Sequence, residues 1–393
     1  MVLTVLLIII YLAFISLGLP DSLLGSAWPS MYPIMGVPIS YAGFVSMIIA
    51  GGTIVSSLLS DKMIKKYGSG LVTTISVSMT ALALLGFSLS NEFYQLILYA
   101  IPLGLGAGSV DTALNNFVAI NYKAKHMNWL HSFWGVGAMT GPIIMGYYLE
   151  RGFIFQIGYR TVAIIQFSLV LLLIISLPLW KMVKSVEKKD HKKQKNQIVN
   201  IRKLLHLKGA KQALIAFFCY CSIEATMGLW GSSFVVMNHG ISSEEAAKWT
   251  TLFFLGITIG RFLSGFVTLK FNNRQMVHFG IVLISIGIIM MIIPITQFFM
   301  LISFIMIGLG CAPIFPSLLH QTPDNFGIKY SQSLMGVQMA SAYVGTTFVP
   351  PIFGLLASLL GYRIMPFFIG IILLLMIIMV TTLNKRVDNI NLV

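Results

Sequence analysis

Long apolar runs, recurring along the whole chain, constrain this sequence more than any motif in it. A hydrocarbon layer about 30 Å thick is crossed by a helix of roughly 20 mostly apolar residues. Runs of that kind occupy about 2–30, 40–60, 70–89, 93–120, 128–149 and 160–180. After a polar break come about 211–237, 249–268, 276–294, 298–321, 333–360 and 364–383. Backbone in lipid must satisfy its own hydrogen bonds, so each run is predicted to be a helix. The first, fourth and eleventh runs exceed one span and must tilt or protrude. The first reads as a retained span and not a cleaved leader: no Lys or Arg precedes it, and no small-residue site closes it. Composition agrees, with 57% hydrophobic and only 10% charged residues, against about 25% charged in soluble domains. That excludes an ordinary soluble enzyme, a disordered chain and a disulfide scaffold. Cys219, Cys221 and Cys311 lie inside apolar runs, so neither a disulfide nor a zinc site is expected. The fold class is an all-α membrane protein of twelve transmembrane helices.

The net charge of +14 points to nucleic acid only until the cations are located. With both termini inside, all but five of the 26 Lys and Arg residues fall on the cytoplasmic side. The five are Arg151, Arg160, Lys248 and Arg363 outside and Arg261 within a span. This is the positive-inside asymmetry, and it accounts for the charge without DNA or RNA. The basic stretch 181–210 reads as a cytoplasmic linker against anionic lipid headgroups. It separates an N-terminal bundle, 1–180, from a C-terminal bundle, 211–393.

The two bundles echo each other. Gly104-Leu105-Gly106 recurs as Gly308-Leu309-Gly310, and Thr53-Ile54 as Thr258-Ile259. Gly158-Tyr159-Arg160 returns as Gly361-Tyr362-Arg363, and Pro142 with Gly146 as Pro350 with Gly354. The offsets are 204, 205, 203 and 208, in order along the chain. A duplicated six-helix unit follows, the layout of a transporter whose halves rock about a central site.

Twelve spans, paired halves and a basic centre resemble the major facilitator superfamily over essentially the whole chain. Ser57-Leu-Leu-Ser-Asp61-Lys62-Met-Ile-Lys65-Lys66 is similar to its loop signature Gly-x-x-x-Asp-Arg-x-Gly-Arg-Arg, with Ser57 and Ile64 in place of glycines. Three further segments resemble the branch of fucose:proton and glucose/mannose:proton symporters. These are Gly18-Leu-Pro-Asp21, Gly106-Ala-Gly-Ser-Val-Asp111-Thr-Ala-Leu-Asn115-Asn116-Phe117 and Asn128-Trp-Leu-His131-Ser132-Phe133-Trp134-Gly-Val-Gly137. Phe218-Cys-Tyr220 and Gly260-Arg261-Phe262 match the same style. The resemblance implies a multi-pass protein of a bacterial plasma membrane, acting as a monomer and importing a hexose with a proton. No cofactor is implied beyond that ion, with sodium as the alternative, and no metal.

An ionisable group in mid-bilayer is costly and marks function by default. Of the twelve acids, only Asp21, Asp111 and Glu224 lie deep in apolar runs. Asn115 follows Asp111 by one helical turn, on the same face. The resemblance implies proton coupling for Asp111 and Asp21. A helix-to-helix hydrogen bond that only holds the bundle is the structural alternative, with a kink at Pro20 for Asp21. Sugar recognition needs short polar groups and aromatic faces, which selects Asn115, Asn116, His131, Trp134, Glu224, Trp230, Gln338 and Tyr343. Asp61, Lys62, Lys65 and Arg261 form a candidate conformational latch; Arg261 also reads as a structural cation paired with an acid or carbonyls. Trp28 and Trp249, near span ends, read as interfacial anchors.

Three functions compete. The leading one is proton-coupled sugar import, with a sodium-coupled variant. Gly137-x-x-x-Gly141-Pro142 resembles the bending motif of drug/proton antiporters and keeps proton-driven efflux open, although a small-residue helix contact explains it equally. A nutrient receptor on a transporter fold is the third. Gly-x-x-x-x-Gly-Lys-Ser/Thr, His-Glu-x-x-His and Gly-x-Ser-x-Gly are absent from the sequence, which disfavours ATP-driven transport and a membrane hydrolase. Gly104-x-Gly106-x-Gly108 lies within a span and reads as close helix packing.

Overall fold

A computed structural model of the protein describes residues 2–122, 124–187, 201–268, 270–293 and 296–391. All regular structure among these residues is helical. The order is α1 (Val2–Asp21), α2 (Leu23–Ile34), a 3-10 turn (Ile39–Tyr41), α3 (Ala42–Tyr67), α4 (Ser69–Leu89), α5 (Phe93–Asn121), α6 (Ala124–Glu150) and α7 (Phe155–Glu187). Then come α8 (Ile201–Leu205), α9 (Ala210–His239), α10 (Ser243–Val267), α11 (Asn273–Ile292), α12 (Gln297–Phe326), α13 (Ile328–Leu360), a 3-10 turn (Tyr362–Ile364) and α14 (Met365–Asn391). Taking α1 and α2 as one broken span, eleven of these runs are long and apolar enough to cross a membrane. The twelfth expected span, α6, forms its helix but is too polar to meet that standard, with His131, Ser132 and Thr140 along it. Much of the expected linker is also structured at its edges: α7 continues to Glu187 and α8 begins at Ile201, while 188–200 lie outside the described residues.

Helix ends follow local chemistry. Glu92 and Gln95 reciprocally cap α5, and Asn272 and Gln275 cap α11, each satisfying two otherwise unpaired amides. Gly68, at φ +86°, ends α3 in a conformation that side chains with a Cβ rarely adopt. The break between α1 and α2 follows Pro20. Proline has no N–H, so the carbonyl four residues earlier, that of Ser16, loses its helical donor. Gln166 Nε2 of α7 replaces it at 2.8 Å, while Gln166 Oε1 accepts from Thr80 Oγ1 of α4 at 2.7 Å. One buried amide therefore repairs the kink and ties three helices.

The chain divides into two compact units. The first comprises Met1–Gln194 and Gly231–Thr251; the second comprises Lys195–Trp230 and Leu252–Val393. In the first, α1 lies against α6 and α7, and α5 against α3 and α4, around a core that includes Phe14, Leu114, Leu130, Leu173 and Trp180. In the second, α12 packs on α11 and α13, and α11 on α14.

The duplication is visible in the closest backbone contacts. A Cβ on Gly104 would stand 2.1 Å from Ile49 O, and one on Gly308 2.1 Å from Phe253 O. Gly106 meets Ser76 O at 2.6 Å, and Gly310 meets Gly280 O at 2.6 Å. Every member of each contact is displaced by 204 residues from its counterpart. These glycines are helix-packing positions, as read from sequence. The two tryptophans read as interfacial anchors are instead inside the protein: Trp28 is fully buried and donates to Ile39 O at 2.5 Å, and Trp249 is 2% exposed.

Candidate functional site

In the first unit the polar groups are set by how closely α6 approaches α1. Cβ atoms on Gly18 and Gly137 would fall 2.1 Å from Trp134 O and 2.0 Å from Ile15 O, so only glycine permits the contact. That approach carries Trp134 to the end of α1, where its Nε1 donates to Asp21 Oδ2 at 2.7 Å. His131, one turn earlier, is half-buried and meets Phe14 edge to face at 5.9 Å. Gly137 and Gly141, which kept export open in the sequence, are occupied by this contact; Gly141 meets Leu19 O.

Asp111 is half-buried within α5, and Asn115 Nδ2 donates to its Oδ1 at 2.8 Å and to its backbone carbonyl at 3.0 Å. The helical spacing read from sequence thus produces a direct pair. Asn116 is exposed, one position further round the helix. Lys62 and Lys65 are exposed at the end of α3. The side chain of Asp61 lies outside the described residues.

In the second unit Glu224 and Arg261 join. Arg261 Nη2 stands 3.4 Å from Glu224 Oε1, with the side chains 15% and 18% exposed. Tyr220, one turn before Glu224 on α9, donates its hydroxyl to Glu224 Oε2. An acid read as a sugar ligand and a cation read as part of a latch are therefore one ion pair. Tyr220 was absent from the sequence-based site, although its spacing of four residues from Glu224 was a usable signal.

Glu224 is also the repeat partner of Asp21. Gly345 of α13 meets Phe218 O of α9 at 2.7 Å, as Gly137 of α6 meets Ile15 O of α1. Six residues beyond each carbonyl stands the acid. The two repeats have thus kept a carboxylate at one place and changed its partner, from an indole N–H to a guanidinium.

Of the remaining candidates, two are buried and one is half-buried. Trp230 is fully buried, donates to Pro350 O at 2.8 Å and stands beside Phe353 and Tyr362. Gln338 is buried and accepts from Thr322 Oγ1 at 2.9 Å. Tyr343 is half-buried on α13, its carbonyl accepting from Thr346 Oγ1 at 3.2 Å. Among the described residues no three His, Cys, Asp or Glu side chains converge as metal ligands.

Two kinds of carboxyl follow. Asp111 is held by a neutral amide, which accepts either protonation state of its partner with a small adjustment. Glu224 faces a cation, and removing its charge would leave that cation uncompensated.

Comparison with known proteins places these features in context. A family profile described as Major Facilitator Superfamily matches residues 10–247 and again 212–390. The chain is 24% identical over 359 residues to the glucose/mannose transporter GlcP of Bacillus subtilis, covering 88% of this chain and 86% of that protein. It is 23% identical over 390 residues to bypass of stop codon protein 6 of Saccharomyces cerevisiae, covering 90% and 77%. The crystal structure of a point mutant of the nucleoside transporter NupG shares the fold with a TM-score of 0.75 at 12% identity, over 96% of this chain and 98% of that one.

Proposed function

The chain belongs to the major facilitator superfamily, and from that premise we propose that it imports a monosaccharide together with a proton by alternating access. As a member of that superfamily it is a multi-pass membrane transporter of a small molecule and not an enzyme. Likeness to a glucose/mannose transporter supports a hexose as cargo. The observation that carries proton coupling is the Asp111–Asn115 pair within an apolar helix. A carboxyl there is stable empty or loaded, because its partner is an amide and not a fixed charge. Protonated on the acidic outer side, it crosses the cycle neutral; facing the cytoplasm, it gives up the proton. Asp21, held by the Trp134 indole, is the second coupling group in this reading. The cytoplasmic placement of both termini, a bacterial plasma membrane and a monomeric state belong to the same proposal.

Purified protein in vesicles that are acidic outside and alkaline inside should accumulate the transported hexose, and a sodium gradient alone should not drive uptake. Asp111→Asn should abolish uphill accumulation and retain at least part of sugar counterflow, since a permanently neutral side chain mimics the loaded state. Loss of both activities to the same extent, in protein that still unfolds at the wild-type temperature, would assign Asp111 to sugar binding and sink the coupling role.

A further inference from the structure

Pro20, Gln166 and Thr80 act together on the turn of α1 that leads into Asp21, and the second repeat has replaced all of them. Pro20 bares the carbonyl of Ser16; Gln166 Nε2 reaches it at 2.8 Å, and Gln166 Oε1 accepts from Thr80 at 2.7 Å. Their counterparts, displaced by 203 or 204 residues, are Ile223, Ile369 and Ile284. The correspondence is structural as well as numerical. A Cβ on Gly106 would stand 2.7 Å from Thr80 Cγ2, and one on Gly310 2.7 Å from Ile284 Cγ1. All three isoleucines are fully buried, and α9 runs unbroken through Glu224. A repeat of this build therefore packs with neither the kink nor the amide. Both occur in the repeat whose acid stands at a helix break.

We propose that Gln166 is a positioning residue: by standing in for the N–H that Pro20 lacks, it fixes the bend between α1 and α2 and so aims the Asp21 carboxylate at the indole of Trp134. All of these residues lie in the first unit. A proline kink is soft, because the ring removes one helical hydrogen bond and crowds the carbonyl four residues back. A bond from a side chain anchored on another helix takes that freedom away. Gln166 is so anchored: it is buried, and with its oxygen held by Thr80 the amide presents its N–H to α1. The target is fixed by a different contact, since Gly18 and Gly137 lock α6 on the part of α1 before the kink. Asp21 follows the proline, so a change of bend moves its carboxylate relative to Trp134 Nε1, which it now meets at 2.7 Å. Glu224 needs no such device, because Arg261 and Tyr220 hold it. The inference deepens the coupling reading of Asp21 and rests on that reading only for its effect on transport.

The direct readout needs no substrate. It is the indole N–H signal of Trp134 in the NMR spectrum of detergent-purified protein with isotope-labelled tryptophan, identified by its loss in Trp134→Phe. Asp21→Ala marks where that signal lies without the carboxylate. Gln166→Leu should move it most of the way to the Asp21→Ala position and leave unchanged that of Trp230, whose indole is held by Pro350 O in the second unit. Adding Pro20→Ala restores a backbone N–H for the Ser16 carbonyl. The double variant should therefore regain unfolding temperature but not the Trp134 signal, because a straight helix carries Asp21 elsewhere. Should Gln166→Leu fold poorly, Gln166→Met, which keeps the length of the side chain, gives the same comparison. In vesicles, Gln166→Leu should lower proton-driven hexose uptake by about tenfold or more and counterflow by less. A displaced indole signal with normal uptake would keep Gln166 as the positioning residue and remove Asp21 from coupling. A lowered unfolding temperature with the Trp134 signal at its parent position, or a double variant that regains the signal, would overturn the inference.

Discussion

At the scale of single residues, the contrast between Asp21 and Glu224 is the most informative feature. Both occupy the same station in their repeats, yet one receives an indole N–H and the other faces Arg261. An uncompensated charge left in a mostly apolar helix bundle costs more than the pair itself contributes. Arg261→Met should therefore destabilise the protein by about 1–3 kcal/mol, discounted from the fully buried case because both groups retain some solvent contact. Adding Glu224→Gln should recover most of that loss. Thermal unfolding in detergent reads both effects; a double variant no more stable than Arg261→Met would mean that the pair is held for reasons other than charge. Asp111 was legible in the sequence as an acid in an apolar run with Asn115 one turn on, because helical periodicity alone sets that contact. The partner of Asp21 was not, since Trp134 is remote from it in the chain and is delivered by Gly18 and Gly137.

At the scale of helices, the glycines decide which faces meet. Gly104→Ala and Gly308→Ala each push a methyl group to 2.1 Å from a carbonyl oxygen, and the helices must separate to admit it. Each should cost about 1–3 kcal/mol, seen as a lower unfolding temperature, and the two costs should be similar because the contacts are repeat partners. Gly51→Ala, with nothing within 4 Å of its Cβ, is the control and should leave stability within about 0.5 kcal/mol of the parent. Unequal losses at Gly104 and Gly308 would show that the repeats have diverged in packing strength. The polarity of α6 has the same origin. It is spent on neighbours: Gly137 and Gly141 on α1, and Trp134 on Asp21. Hydropathy measured along one helix undervalues a span whose polar groups are answered by another.

At the scale of the molecule, orientation is a charge question. Lys62, Lys65, Lys66, Lys385 and Arg386 cluster in the segments that the positive-inside rule assigns to the cytoplasm. A reporter active only in the cytoplasm, fused after Val393, should therefore be active, and one inserted at Gly240, between α9 and α10, should be silent. The reverse pattern would invert the whole assignment.

The number and position of the spans, their helical state and the internal duplication were determined by the sequence alone. Each depends on local hydrophobicity and backbone hydrogen bonding, which a lipid solvent imposes on every stretch of about 20 residues independently. Tertiary structure decided which polar groups meet: Glu224 with Arg261, the exposed Asp21 with Trp134, Gln166 with the carbonyl that Pro20 leaves bare. It also set Trp230 against the Pro350 carbonyl and Gln338 against Thr322. Those pairings depend on how far one helix slides along another before glycine backbones touch, and that register is a property of two surfaces together, absent from either stretch of sequence read by itself.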